Sequence, residues 1–203
     1  MFGGGSFTSQ NKVLPGSYIN FVSAARAAAS VSDRGIVAVP LTLSWGPEKT
    51  AFEVTAEDFQ KNCMAIFGYP YDAPELLPLR EVFRYAVKGV FYRLTAGTKA
   101  ANNYATARYG GVRGNAIKIV VAKNVDDESK YDVKTYLDSK LVDEQTVATA
   151  AGLKDNDYVI FKKDSTLAAT AGIALAGGAD GETPTGTEHS EFLAAMESQT
   201  FHV

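Results

Sequence analysis

The side chains that could do chemistry are few, and they are spaced wrongly for it. The two histidines, His189 and His202, stand thirteen residues apart, and the single cysteine is Cys63. No pair among the three falls at a metal-ligand spacing. Cys63 shares a helical period with Phe59, Ile66 and Phe67, which puts its thiol on an apolar face as an inert core group. Nucleophile–base pairs are therefore scarce. Carboxylate pairs stay open, although no spacing recommends one. Asp126-Asp127-Glu128 has the charge for calcium but lacks the glycine and distal glutamate of an EF-hand loop, so a solvated hairpin turn is the favoured reading. The most inviting motif is Tyr109-Gly-Gly-Val-Arg-Gly-Asn115, because glycine loops cradle phosphate. No Lys-Ser/Thr pair follows it, and a strand, not a helix N-terminus, comes next. The alternative is a tight loop whose Arg113 and Asn115 hydrogen-bond to backbone. These residues make no positive case for an enzyme, and none for a catalytic, cofactor-binding or metal site.

The elements around them read as two kinds of structure. Ile36 to Leu43 is almost continuously apolar, the pattern of a strand covered on both faces, with Pro40 marking a bulge or strand end. Trp45, the only tryptophan, is expected over the end of that strand. Ala51–Val54 is a short strand. Thr55 then caps a helix, with Asp58 completing a capping box and Gly68 as the stop. A second helix begins after Asp72, with Pro74 and Glu75 in its first turn and Leu76, Leu79, Phe83, Ala86 and Val87 as its buried stripe. Gly89 ends it, and Val90–Leu94 is a strand, so this region has the layered α/β order.

From about Ala96 helical periodicity disappears. Ile117, Ile119 and Val121 alternate with polar neighbours, as do Tyr131, Val133, Thr135 and Leu137. Further strands are read at 141–149, 158–161 and 173–176. Residues 101–184 form a small β-rich insertion, barrel-like or sandwich-like, that leaves through the glycine-rich turn Gly177–Pro184. Glu188–Ser198 is a helix with Phe192, Leu193 and Met196 as its stripe, and 200–203 begins another strand. The expected fold class is α+β or α/β: a truncated α/β core (32–100 plus 185–203), the β-rich insertion, and an N-terminal arm and hinge (1–31).

That arm follows three glycines, Gly3 to Gly5. Its patch from Val13 to Phe21 is apolar, lacks a hairpin partner upstream, and carries Pro15, which suits an edge or added strand. Val13, Leu14, Tyr18, Ile19 and Phe21 are the candidate inter-subunit residues, pairing with a neighbour's sheet; a terminus docked on its own domain is the other reading. The chain of 203 residues is long enough for a sizeable core. A net charge of −3 gives no general attraction to nucleic acid. Its distribution is uneven: residues 1–100 carry ten Lys/Arg against eight Asp/Glu, residues 101–203 ten against fifteen. The first 31 residues hold Lys12 and Arg26 and no acid, which suits contact with an acidic face of another copy. One cysteine allows no intrachain disulfide, and neither a secretory signal nor an apolar run long enough to span a bilayer is visible, so a reducing cytoplasm is the expected site of synthesis.

Four stretches occur in order across most of the chain: Pro15-Gly-Ser-Tyr-Ile-Asn20, Leu43-Ser-Trp-Gly-Pro-Glu48, Tyr109-Gly-Gly-Val-Arg-Gly-Asn115 and Leu175-Ala-Gly-Gly-Ala-Asp-Gly181. Together they resemble the tail sheath proteins of contractile phage tails, in the form found in myophages, prophage-like particles and phage-tail-like bacteriocins of Gram-positive bacteria. The resemblance covers the N-terminal half or more of such a subunit and lacks the rest of the core domain and a C-terminal arm. It implies a structural, non-enzymatic subunit that stacks in hexameric rings around an inner tube. Contraction would drive that tube through a cell envelope. It also implies arms that exchange strands between subunits, and a β-rich insertion facing outward. The implied partners are other sheath subunits and the tube protein, with no nucleic acid and no membrane insertion. The implied location is a virion or phage-like tail assembled in the host bacterial cytoplasm. A carbohydrate- or surface-binding β module on an α/β stalk, with Tyr104, Tyr109 or Tyr158 as stacking platforms, is the alternative.

Overall fold

The structure is a computed structural model and describes residues 35–202. The arm residues Val13, Leu14, Tyr18, Ile19 and Phe21, and the rest of the arm and hinge expected over 1–31, lie outside the described residues.

The α/β portion is a three-stranded sheet in the order β1-β3-β2. β1 (Ile36–Leu41) runs parallel to β3 (Lys88–Arg93), and β2 (Ala51–Thr55) is antiparallel to β3. β3 is the interior strand and is buried from Gly89 onward. Alternation sends Phe91, with Val54 and Leu41, to one face, where α1 (Ala56–Phe67) and α2 (Leu77–Phe83) cover them with Phe59, Cys63, Phe67, Leu76 and Leu79. This core is aromatic: the Phe59 ring stacks on Phe83 at 4.6 Å, and Phe67 meets Phe91 edge-on at 5.5 Å. Val90, Tyr92 and Leu94 point to the other face, under Phe192 and Met196 of α3 (Gly186–Met196).

Several expectations need correction here. β1 is half-buried rather than covered on both faces, with Pro40 exposed in register opposite Tyr92. Thr55 does cap α1, accepting from the Asp58 amide at 3.1 Å. The Asp58 carboxylate, however, accepts from the Thr55 hydroxyl at 2.7 Å and not from its amide, so the capping box is only half made. Gly68 ends α1 in the left-handed region at φ 80°. The second helix is a 3-10 turn (Pro74–Leu76) followed by α2, and it stops at Phe83. Val87 therefore lies beyond the helix and is exposed. Leu193 of α3 is exposed as well. Thr200 to His202 form no strand, although the His202 amide donates to the Ile36 carbonyl at 2.9 Å.

The reciprocal capping box is at α3 instead. The Glu188 carboxylate accepts from the Thr185 amide at 2.8 Å and from its hydroxyl at 2.6 Å. The Thr185 hydroxyl, its amide, Glu188's own amide and the nearby Lys49 together hold the Glu188 carboxyl at about 2, below its ordinary 4.5. A carboxyl depressed in the folded state contributes stability above its ordinary pKa and loses it as pH falls through the folded value. Acidification from 4.5 towards 2 is therefore expected to loosen α3, and Glu188→Gln to flatten that part of the stability–pH curve. Urea midpoints across this range check it; parallel curves for the two proteins would refute it.

The β-rich portion has two sheets. Four strands run in the order β7-β6-β5-β9. They are β5 (Ile117–Lys123), β6 (Tyr131–Leu137), β7 (Lys140–Val147) and β9 (Thr170–Ala174), all antiparallel to their neighbours. β4 (Ala105–Ala107) pairs with β8 (Val159–Phe161). The register sets Ile117 opposite Leu137, Ile119 opposite Thr135 and Val121 opposite Val133, all buried as the alternation predicts. The inner faces of both sheets share one core, with no closed barrel. Trp45, expected over β1, belongs to this second core. Its ring meets Tyr109 edge-on at 5.3 Å, and its indole N–H donates to the Ala65 carbonyl of α1 at 3.2 Å.

Candidate functional site

Three of the four motif stretches read from the sequence meet at one place, where loops of the α/β sheet abut loops of the β-rich sheets. Gly110 lies at its centre, and both its polar groups are gripped. Its amide donates to Glu48 Oε1 at 2.6 Å, and its carbonyl accepts from Arg93 Nη1 at 2.7 Å. Arg93 Nη1 also donates to the Gly46 carbonyl at 3.2 Å. Beside this, Asp180 accepts from the Ser44 hydroxyl at 2.8 Å and from the Val112 amide at 3.0 Å. Asn115 exchanges two hydrogen bonds with Gly178, at 2.8 and 2.9 Å. Thr98 does the same with Ala179, and its carbonyl also accepts from the Gly111 amide at 3.0 Å.

Arg113 makes the outer tie. Its Nε donates to the Gly68 carbonyl at 2.6 Å, and its two terminal nitrogens donate to the two oxygens of Asp138 at 3.1 and 2.6 Å. The guanidinium lies 4.9 Å above the Tyr69 ring. A planar, bidentate, stacked arginine is held on three sides, a geometry that lysine cannot reproduce. The glycine loop is thus the tight hydrogen-bonded turn of the second reading, not a phosphate cradle.

Arg93 is the buried ion of the junction, 0% exposed. Burial pushes its guanidinium below the usual range, against the pull of Glu48 and Asp180. Its Nε and Nη2 have no hydrogen-bond partner among the described residues. Glu48 lies 3.7 Å from Nη1 with its side chain 22% exposed. Removing the Glu48 charge leaves Arg93 without its nearest carboxylate, although Gln keeps an acceptor for the Gly110 amide, whereas removing the arginine leaves the buried Gly46 and Gly110 carbonyls without their donor. Arg93→Met is therefore expected to cost about 3 kcal/mol and Glu48→Gln about 1–2 kcal/mol. Urea denaturation of both variants tests the order; the reverse order defeats the account.

The arrangement joins the loops of the two portions through hydrogen bonds. Cys63 is buried, and burial pushes its thiol up. The exposed His189 ring contacts the Thr185 carbonyl at 2.8 Å. Among the described residues no group of His, Cys, Asp and Glu is set to hold a metal. The tyrosines considered as sugar platforms point inward: Tyr104 and Tyr158 are buried, and Tyr109 packs on Trp45. Asp126 to Glu128 is a turn, ordered by Asn124 accepting from the amides of Asp126 and Asp127. The sequence reading missed Arg93, whose one local signal is a charge inside the apolar run Val90–Leu94. The structure does not place the candidate arm residues.

Comparison with known proteins gives a consistent answer. Residues 95–180 match the family profile described as the phage tail sheath protein beta-sandwich domain. Residues 34–94 match the tail sheath protein Gp18 domain III N-terminal region. Over 98% of its length the chain is 41% identical to YqbK and 39% identical to the phage-like element PBSX protein XkdK, both of Bacillus subtilis (strain 168). It covers 47% of each, and so spans about half the length of these relatives. Among solved structures, the sheath tail protein of Desulfitobacterium hafniense superposes with a TM-score of 0.75 at 39% identity, over 92% of this chain and 44% of that one. The sheath tail protein of Listeria innocua gives 0.74 at 40%, over 84% and 39%.

Proposed function

The chain belongs to the phage tail sheath protein family, and from that premise we propose that it is part of a subunit that stacks in hexameric rings around an inner tube and contracts to drive that tube through a cell envelope. The observation that carries the reading is the pair of adjacent sheath matches spanning residues 34–180, with sheath tail structures of close backbone likeness. The subunit's partners are further copies of itself and the tube protein, its place is the tail of a virion or phage-like particle, and its assembly takes place in the host bacterial cytoplasm. It works mechanically and not as an enzyme.

Within the subunit we assign residues 32–100 and 185–203 to the body that touches tube and neighbours, and 101–184 to an outward-facing β-rich domain. Residues 1–31 are the arm, with Val13, Leu14, Tyr18, Ile19 and Phe21 entering a neighbour's sheet. The junction at Gly110 supports this division of labour. A part that transmits force between copies needs its inner and outer portions fastened, and here backbone groups, a buried arginine and a bidentate Arg–Asp pair fasten them.

Electron microscopy of the whole protein, purified and concentrated, tests the reading. Tubes of stacked six-fold rings are expected. A monodisperse monomer at every concentration and salt would overturn it.

A further inference from the structure

We propose that β4 and β8 are the two halves of one clasp, built from two copies of the same short sequence pattern. The clasp opens and closes as a single unit, and Trp45 of the α/β portion holds it shut.

The two copies are Asn102-Asn-Tyr-Ala-Thr-Ala-Arg108 and Asn156-Asp-Tyr-Val-Ile-Phe-Lys162. Each opens on an asparagine, places a tyrosine two residues on, alternates apolar residues after it and ends on a cation. Each asparagine makes the same turn. Asn102 Oδ1 accepts from the amides of Tyr104 and Ala105, both at 2.9 Å. Asn156 Oδ1 accepts from those of Tyr158 and Val159, at 2.9 and 2.8 Å. The amide of each asparagine donates to the carbonyl three residues on, Asn102 to Ala105 at 2.9 Å and Asn156 to Val159 at 3.1 Å. Asparagine favours such turns because its side chain satisfies the backbone that follows it. Burial repeats as well. Tyr104, Ala105 and Ala107 are buried before an exposed Arg108, and Tyr158, Val159 and Phe161 before an exposed Lys162.

A local two-fold axis relates the copies. It passes between Thr106 and Ile160, which face each other, and it exchanges the pair Ala105–Phe161 with the pair Val159–Ala107. Beyond these pairs the contacts are reciprocal. The Arg108 amide donates to the Tyr158 carbonyl at 2.9 Å, and the Lys162 amide to the Tyr104 carbonyl at 2.8 Å. The side chains follow the same rule: Arg108 Nη1 donates to the Asn156 carbonyl at 3.1 Å, and Lys162 Nζ to the Asn102 carbonyl at 2.7 Å. The cation of each copy thus holds the turn of the other. Two strands this short do not persist alone. Neither copy can leave without taking the other's hydrogen bonds, so the two open together.

The symmetry breaks at one end, and the difference points to the α/β portion. The Tyr104 hydroxyl donates to the Ala168 carbonyl at 3.3 Å, within the β-rich portion. Its counterpart Tyr158 instead lies against Trp45, with ring centroids 6.4 Å apart. Tyr109, the residue after Arg108, meets the same indole edge-on at 5.3 Å. Trp45 therefore covers the end of the clasp where Arg108 meets Tyr158, and its N–H anchors it to the Ala65 carbonyl of α1. It is a positioning residue: it belongs to neither copy and packs against both.

Hydrogen exchange in the whole protein, read by mass spectrometry of its peptides, tests this. Asn156→Ala removes two hydrogen bonds from one turn. It is expected to speed exchange about tenfold in 102–108 as well as in 156–162, with 117–123 and 131–137 unchanged. Asn102→Ala is expected to do the same, and Trp45→Phe to speed both copies alike with β5 and β6 again unchanged. Acceleration confined to the substituted copy, or spread equally over β5 and β6, would overturn the clasp. Trp45→Phe acting on neither copy, on one alone, or on the β-rich portion throughout would overturn the part given to Trp45. Exchange is read within each chain, so the outcome does not depend on whether the protein forms rings.

Discussion

Deleting residues 1–21 from the whole protein is expected to abolish polymerisation and leave the body folded. The stretch from Val13 to Phe21 is nine residues long. As an added strand it turns about half its N–H and C=O groups to the host sheet, for roughly eight hydrogen bonds at ~1 kcal/mol net each. Burying Val13, Leu14, Tyr18, Ile19 and Phe21 adds to this at about 25 cal/mol per Å² of apolar surface. One such contact is moderate. Twenty residues of extended arm reach at most about 70 Å, far enough to cross to another subunit. In the proposed rings every copy would repeat the contact, so the bonds would act together and the lattice would be far stronger than any single one. Removing the arm removes that multiplicity at once. The body is expected to stay folded. Sedimentation should change from large assemblies to a single small species, with an unchanged urea midpoint. Sheaths of normal length from the deleted protein would show that the lattice is held elsewhere.

Much of the body is legible in the sequence because short-range rules govern it. The alternation through Ile117–Val121 and Tyr131–Leu137 is a period-2 signal with one face buried, and the structure buries that face. Phe59, Cys63 and Phe67 follow the helical period, and Gly68 stops the helix as its lack of a Cβ allows. The rules fail where tertiary contacts decide. Val87 continues the period of α2, but the helix ends at Phe83, where the chain turns into β3, so a residue in phase is not a residue in the helix. Leu193 is in phase on α3 and still exposed, because that helix meets the sheet only through Phe192, Met196 and the half-buried Ala195. Trp45 follows β1 in sequence and packs in the other core, since its partners Tyr109 and Tyr158 come from far along the chain. The junction was half legible. Its glycines mark tight loops, but nothing local tells that Gly97 approaches Gly110, that Gly178 approaches Gly111, or that Arg93 reaches carbonyls 47 and 17 residues away. Hydrogen bonds between backbone groups carry no side-chain signature.

That dependence on bare backbone leads to the largest single-residue effect expected in the body, at Gly111. Its φ of 133° and ψ of 160° lie in a region essentially reserved for glycine. A Cβ built there would also sit 2.1 Å from the Ser44 carbonyl oxygen, which belongs to the loop held by Asp180. Two nearby glycines separate the causes. Gly177 has φ 80° and nothing within 4 Å of a built Cβ, so Gly177→Ala meets backbone strain alone, about 1 kcal/mol. Gly110 needs no left-handed backbone, but its Cβ would stand 2.1 Å from the Gly97 oxygen, so Gly110→Ala meets overpacking alone, about 2–3 kcal/mol. Gly111→Ala meets both and should cost about 4 kcal/mol or more, a large share of the stability of a domain this size. Trp45, the only tryptophan in the chain, stands in the motif that supplies Ser44, so its fluorescence during urea unfolding reports on the junction directly. The expected midpoints fall in the order Gly177→Ala, Gly110→Ala, Gly111→Ala, with the last lowest. If Gly111→Ala unfolded no earlier than Gly177→Ala, the loops would not be in backbone contact, and the fastening between the two sheet systems would have to come from the side chains of Glu48, Arg93, Arg113 and Asp180.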